Sequence, residues 1–301
     1  MNQVLAITGI TGHSGRYLLQ ELVKHHYSGE VRCLIRESSN TEHLDSSRLN
    51  IRKIYGDISD VRVLRTLLDG ADIVINIVNL RYTLPILQIA EELHVRRAIA
   101  VHTTGIYSKY KMAAEEYKNI EKNIACFMEQ SDIDLTILRP TMIFGDMCDH
   151  NISKFIRIVD MLPVIPVING GDSKIQPVNA RDLGCAYYNA CIRAHLPEDE
   201  YIVSGEKPVT MKELFQWIAS FLGKKRVFVN IPLSIGVAVA QLVKYISFGR
   251  IDYVERVLRM AENRDYPHSQ ASKDIDYMPE KFEIGLEREV FEYQKLKNHR
   301  M

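Results

Sequence analysis

Residues 4–15 read Val4-Leu5-Ala6-Ile7-Thr8-Gly9-Ile10-Thr11-Gly12-His13-Ser14-Gly15, and this stretch decides the fold. Its first five residues are a short, largely apolar run that stops at a glycine, as a buried parallel strand should. Leu18, Leu19, Leu22 and Val23 then recur at helical spacing. A strand that turns through three glycines into a helix is built to hold phosphate. Gly9 permits the tight turn, Gly12 lets backbone approach a pyrophosphate, and Gly15 lets helix and strand pack closely. The helix start adds unpaired N–H groups and the positive end of its dipole. Gly9, Thr11, Gly12, His13, Ser14 and Gly15 are therefore the candidate cradle for a dinucleotide.

The alternation continues downstream. Strands are expected at 31–35, 51–55, 73–78, 98–101 and 135–138. Between them, Val61, Leu64, Leu67 and Leu68 mark a helix with Asp60 as its N-cap, and further helices are expected at 84–93 and 109–129. Strands alternating with helices call for an α/β fold, a Rossmann-type doubly wound parallel sheet with helices on both faces. After Arg139-Pro140 the rhythm changes. Helices are expected at 152–161, 180–194, 211–222, 233–246, 253–261 and 285–296, with short strands at 201–204 and 227–230. Thr210 and Glu213 have capping-box spacing. The reading is a dinucleotide-binding domain over 1–140 and a smaller, largely helical substrate-binding region over 141–301, with chain exchange between them.

Composition narrows the function classes. The 301 residues are 46% hydrophobic and 25% charged, which excludes a disordered or disulfide-scaffold chain. Lys+Arg and Asp+Glu are both 38, so no bulk charge draws the chain to nucleic acid. Cys33, Cys126, Cys148, Cys185 and Cys191 show no C-x-x-C spacing, read as reduced and mostly buried thiols, and offer no metal set. No signal peptide and no integral membrane segment are expected, and the chain reads as cytoplasmic. The nearest approach to a membrane segment is 231–248, a packed helix whose sharper reading is peripheral membrane contact.

The glycine spacing is G-x-x-G-x-x-G, and it resembles the short-chain dehydrogenase/reductase superfamily in its extended and atypical branches, the NAD-dependent epimerases and dehydratases. Gly56-Asp57-Ile58-Ser59-Asp60 is similar to that group's G-D-x-x-D element, whose aspartate contacts adenine. Leu138-Arg139-Pro140, continuing to Gly145, resembles its L-R-P-x-x-I-Y-G segment, whose backbone passes the nicotinamide. Gln176-Pro177-Val178, continuing to Asp182, and Asp276-Tyr277-Met278-Pro279 with Gly285-Leu286 are similar to two later signatures. The resemblance spans nearly the whole chain. It implies Asp57, Ile58 and Pro140 as further cofactor-binding positions. Val78 stands where relatives carry a small residue, and Asn79 beside it could contact the ribose.

The expected cofactor is a nicotinamide dinucleotide, and one residue bears on which. Arg36 lies 21 residues after Gly15, where an acid would hydrogen-bond the ribose of NAD. A guanidinium matches a 2′-phosphate instead, so NADP is favoured, with NAD the alternative through neighbouring Glu37.

The catalytic expectation rests on Thr103-Thr104-Gly105-Ile106-Tyr107 and Lys111. On a helix, Tyr107 and Lys111 would stack, and the ammonium would lower the phenol's pKa for acid/base work. Thr103 or Thr104 would polarise the substrate oxygen, and Glu115 completes a similar Y-x-x-x-K-x-x-x-E pattern. The threonines and tyrosine lie far closer together than in the family, so Tyr107 also fits the aromatic residue that follows the family's serines. Lys109 and Lys111 would then be solvated charges. His13 reads equally as a solvated loop histidine, Asp182 as a helix cap, and Lys174, Gln176 and Arg181 as contacts to an anionic substrate.

The expected function is an NAD(P)-dependent oxidoreductase, epimerase or dehydratase working at a C–OH/C=O carbon, with a sugar nucleotide as substrate. The alternative is a noncatalytic NADP-binding redox sensor or scaffold. A homodimer through the 109–129 helix stays open.

Overall fold

The computed structural model describes residues 3–110 and 112–298. Seven strands make the central sheet: β1 (Leu5–Thr8), β2 (Glu30–Ile35), β3 (Asn50–Tyr55), β4 (Ile73–Asn76), β5 (Arg97–Val101), β6 (Asp134–Pro140) and a late arrival, β11 (Glu200–Val203). Their order is β3-β2-β1-β4-β5-β6-β11, and every pairing is parallel. The order reverses between β1 and β4, which leaves a crevice at their C-terminal ends.

The strands are apolar on both faces because both are covered. Leu5 and Ile7 face one core with α1 (Gly15–Lys24) and α7 (Ala180–Ile192); Ala6 faces the other with α3 (Val61–Leu68), α4 (Thr83–Glu92) and α5 (Ala114–Met128). The short α2 (Glu42–Asp45) precedes β3.

A third core belongs to the second lobe, where α6 (Ile152–Met161), α8 (Met211–Phe221) and α12 (Phe282–Asn298) pack together. Small strand pairs complete the lobe. β7 (Ile143–Phe144) pairs with β10 (Val178–Asn179), β9 (Lys174–Ile175) with β12 (Val209–Thr210), and β8 (Val164–Ile168) with β13 (Val227–Ile231). α9 (Leu233–Ile246), α10 (Val254–Met260) and α11 (Ser269–Asp274) fill the C-terminal third.

The chain returns twice to the first lobe. β11 adds to the sheet beside β6, and α7 packs so closely on α1 that a Cβ on Gly184 would lie 2.4 Å from the Tyr17 Cβ.

Several boundaries differ from the sequence reading, each for a tertiary reason. β4 stops at Asn76 rather than 78 because the Asn76 side chain turns inward. Its Oδ1 accepts from the Thr8 hydroxyl and the Val78 N–H, and its Nδ2 donates to the Asn79 carbonyl. α5 begins at Ala114, not 109. The Met112 N–H, which a helix begun at 109 would pair with the Ser108 carbonyl, donates instead to the Glu255 carboxylate, and the Glu262 carboxylate accepts from the Ser108 hydroxyl and the Lys109 N–H, so second-lobe carboxylates hold this segment. The α7 cap is Asn179, whose side chain accepts from the Arg181 N–H; Asp182 sits inside the first turn. The capping box at Thr210 and Glu213 forms as expected. Only Cys33 and Cys191 are buried; Cys126 and Cys148 are exposed.

Candidate functional site

Two clefts open along the C-terminal edge of the sheet. The larger, about 730 Å³, runs from the glycine turn over the ends of β2, β3 and β4. Gly9 adopts φ +82°, and a Cβ there would press on Val78 Cγ2 at 3.1 Å. A Cβ on Gly15 would lie 2.1 Å from the Gly9 carbonyl oxygen. Both glycines are thus demanded by geometry. α1 starts without a side-chain cap and without an acid in its first turn, which leaves its positive end facing the cleft. Thr11, Gly12, His13 and Ser14 line the same wall. Burial lowers the His13 pKa, and nearby Arg16 lowers it further, so the ring is a neutral wall of the cleft. Its Nε2 is buried with no hydrogen-bond partner among the described residues.

Arg36 lines the far end with Ser38, Ser39, Asn40 and His43. It makes no ion pair among the described residues. Asp57 and Ile58 form the opposite rim. Asp57 Oδ1 accepts from the Ser59 hydroxyl and N–H, and these bonds, with Arg36 nearby, hold its carboxyl below the ordinary range. Val78 reaches the cleft, but Asn79 does not line it: the Asn79 side chain caps the turn at Leu80–Tyr82 by accepting from the Arg81 N–H. Pro140 lines neither cleft; its carbonyl accepts the Thr104 hydroxyl.

The smaller cleft, about 280 Å³, opens at the ends of β5 and β6. β5 lies next to β4 in the sheet, so the two clefts are neighbours. Thr103, Thr104 and Ser108 line one side and Arg259, Arg264 and Tyr266 the other. Thr103 Oγ accepts from the Gly105 N–H, which leaves the threonine's own proton free to donate. Burial and the neighbouring Arg259 push the Arg264 guanidinium down to about 10. Two cations side by side in a cleft, one without a carboxylate within ion-pair distance among the described residues, make a receptor for an anion.

Tyr107 is not on α5. It closes a 3-10 turn at Thr104–Tyr107, ahead of the helix. Its hydroxyl donates to Glu200 Oε1 at 2.6 Å, and its ring lies against Tyr266 with centroids 5.6 Å apart. Burial, then the Glu200 bond, pushes the phenol up to about 12. Lys111 lies outside the described residues. Glu115 pairs with Lys118 in solvent. Gln176 is buried as a brace, donating to the Gly205 carbonyl and accepting from the Tyr266 N–H, and Arg181 pairs with Asp146. Neither these two nor Lys174 lines the smaller cleft.

A polar chain, buried from Thr8 to His102 and partly exposed at its far end, ties the clefts together, and no motif announced it. Thr8 donates to Asn76, whose Nδ2 donates to the Thr83 hydroxyl. The Thr83 proton is then free for His102 Nε2 at 3.1 Å, and His102 Nδ1 faces Glu121 at 2.8 Å. Arg139 grips Glu121 with two bonds and Glu200 with a third nitrogen. Burial raises the Glu121 carboxyl, but the bonds from His102 and Arg139 outweigh it and hold it at about 2. Glu200 receives Tyr107. Arg259, Arg264 and Tyr266 escaped sequence reading too, because only the folded return of residues 254–266 brings them to β5.

Comparisons with known proteins agree with this geometry. Residues 9–152 match the family model described as NAD(P)H-binding. No curated protein matches the chain in sequence. Solved structures match its fold end to end. The protein gox2253 is 16% identical with a TM-score of 0.77, covering 98% of this chain and 99% of that one. The dTDP-glucose 4,6-dehydratase of Bacillus anthracis, in complex with NAD, is 13% identical with a TM-score of 0.74 and 98% coverage of both chains. A nucleoside-diphosphate-sugar epimerase of Pseudomonas aeruginosa is 17% identical with a TM-score of 0.74, covering 98% and 99%. The fold and the family-model match agree with the resemblance to the short-chain dehydrogenase/reductase superfamily read from the motifs.

Proposed function

We propose that the chain is an NADP-dependent oxidoreductase of the epimerase, dehydratase or reductase type, acting at a C–OH/C=O carbon of a nucleoside diphosphate sugar. The observation that carries this reading is the pairing of a glycine-turn cleft with an arginine-lined cleft on adjacent strands. The first has the size and the phosphate-binding end for a dinucleotide. Arg36, with Ser38 and Ser39 beside it, offers donors to a 2′-phosphate. The second offers Arg259 and Arg264 to a diphosphate. A bound nicotinamide would supply or take the hydride at the substrate carbon.

The chain's own residues divide the remaining work. Thr103 directs its free proton at the substrate oxygen. Tyr266 presents the phenol that lines the substrate cleft, with Tyr107 packed behind it. Tyr107, pushed up to about 12 and donating to Glu200, keeps its proton at neutral pH, so it supports Tyr266 rather than acting as a base. The test is calorimetric binding of UDP-glucose to wild type and Arg264→Ala. The variant is expected to bind roughly tenfold to a hundredfold more weakly, as loss of a charge-assisted contact implies. Equal affinity would remove the arginines from the substrate site.

One observation favours a second reading, a noncatalytic NADP-binding sensor or scaffold. The Tyr107 hydroxyl is engaged by Glu200 and stands off the helix that would pair it with a lysine. That reading predicts NADPH binding with no turnover on any sugar nucleotide, and no change in binding for Tyr107→Phe or Tyr266→Phe.

A further inference from the structure

We propose that α9 and the turn after it dock on an anionic lipid surface. Ile235, Val239, Leu242 and Ile246 follow at i, i+4, i+7 and i+11, so they form one line along the helix, and each is more than half exposed. The opposite side of α9 is the one that packs: a Cβ on Gly236 would meet Ile168 at 2.8 Å and Val257 at 3.1 Å. The helix is thus apolar on the side that faces protein and apolar again on the side that faces water. A soluble chain rarely leaves such a patch uncovered.

The end of the helix is the sharper observation. The Gly249 N–H donates to the Lys244 carbonyl and the Phe248 N–H to the Tyr245 carbonyl, the paired bonds of a Schellman turn. Phe248 takes the left-handed position of that turn, at φ 51°, where glycine is the usual residue. It is 93% exposed, and Tyr245 beside it is 82% exposed. A bulky aromatic residue in strained backbone with its ring in water is unfavourable twice over, and insertion of the ring into lipid removes one of those costs.

Charge decides between lipid and a second copy of the chain. The segment that carries the patch, residues 233–256, holds Lys244, Arg250 and Arg256 against Asp252 and Glu255, a positive excess in a chain whose total is zero. Lys244 is engaged by Asp252. Arg250, next to the Phe248 turn, and Arg256, on the helix that packs against α9, have no carboxylate partner among the described residues. A second copy would bring an identical positive rim against this one, whereas an anionic headgroup layer neutralises it. Aromatic rings at a helix end, flanked by cations, suit an interfacial helix lying flat.

The test is co-sedimentation of the whole chain with vesicles of phosphatidylcholine alone and of phosphatidylcholine with phosphatidylserine. Binding is expected only to the second, weakening as salt rises. Phe248→Gly should bind those vesicles about tenfold more weakly, since a buried aromatic side chain is lost. It should also raise the melting temperature, since the left-handed strain is relieved, so its loss of binding cannot be misfolding. NADPH binding should be unchanged in this variant. Failure to bind either vesicle, or unchanged binding by Phe248→Gly, overturns the proposal. So does a dimer in gel filtration that Leu242→Glu dissociates, since a second copy would then cover the face.

Discussion

A methyl group placed on Gly15 would sit 2.1 Å from the Gly9 carbonyl oxygen and 2.8 Å from the Ile10 Cα. Both neighbours are backbone, so neither can rotate away. Gly15→Ala should therefore force the turn open, cost on the order of 2 kcal/mol of stability as overpacking does, and abolish dinucleotide binding. Thermal unfolding and NADPH titration of the same variant check both effects. This position was fully legible in the sequence, because a glycine between strand and helix has few other uses. The place of Arg36 in the cleft was legible as a fixed distance along a known connection, and its contact to a 2′-phosphate is a proposal. Tyr107 was not legible. Its spacing to Lys111 has meaning only on a helix, and α5 starts at Ala114. Asp182 shows another limit of residue-level reading. Burial, opposed by the bond from the Glu280 N–H, raises its carboxyl to about 7, a property set by a segment almost a hundred residues away.

Elements were legible where periodicity is strong. β1, β2, β5 and α6 fall where their apolar residues put them, because each covers or faces a core. They were misread where a distant group competes for a backbone donor, as Glu255 does for the Met112 N–H before α5. The ties between elements were invisible. Glu121 on α5 joins His102, after β5, to Arg139 on β6, and both partners are almost wholly buried. Glu121→Gln should destabilise the fold by roughly 3 kcal/mol, because it leaves the buried guanidinium with less compensation. Denaturant titration near neutral pH measures it. The acid side has a definite sign. Glu121 is depressed to about 2 from an ordinary 4.5, so its contribution is present above 4.5 and lost as pH falls toward 2. Acid unfolding of the variant should lack that component. At the start of α8, Thr210→Ala removes a complete capping box and should cost about 1 kcal/mol.

At the scale of the whole molecule, two lobes share one sheet edge, and α12 packs within the second lobe against α6 and α8. Glu289 on α12 is buried, and it accepts the Met147 N–H from the loop that follows β7. Burial, then Asp149 beside it, holds its carboxyl well above the ordinary range. The folded chain therefore keeps a proton that the unfolded chain releases above about 4.5. Stability from this group is full below that pH and declines as pH rises. Glu289→Gln should hold its stability on the alkaline side while wild type loses it, which denaturant midpoints at about pH 6 and about pH 9 would show. The first lobe could be read from its motifs; the second carries no motif of its own, so its arginine cleft emerged only from the fold. The central claim is that the first cleft holds NADP. Calorimetric binding of NADPH and NADH to the folded, cofactor-free chain and to Arg36→Ala tests it most directly. NADPH should bind more tightly than NADH, and Arg36→Ala should erase a preference of about tenfold or more. Binding of neither dinucleotide would contradict the account and leave the glycine turn a purely structural device.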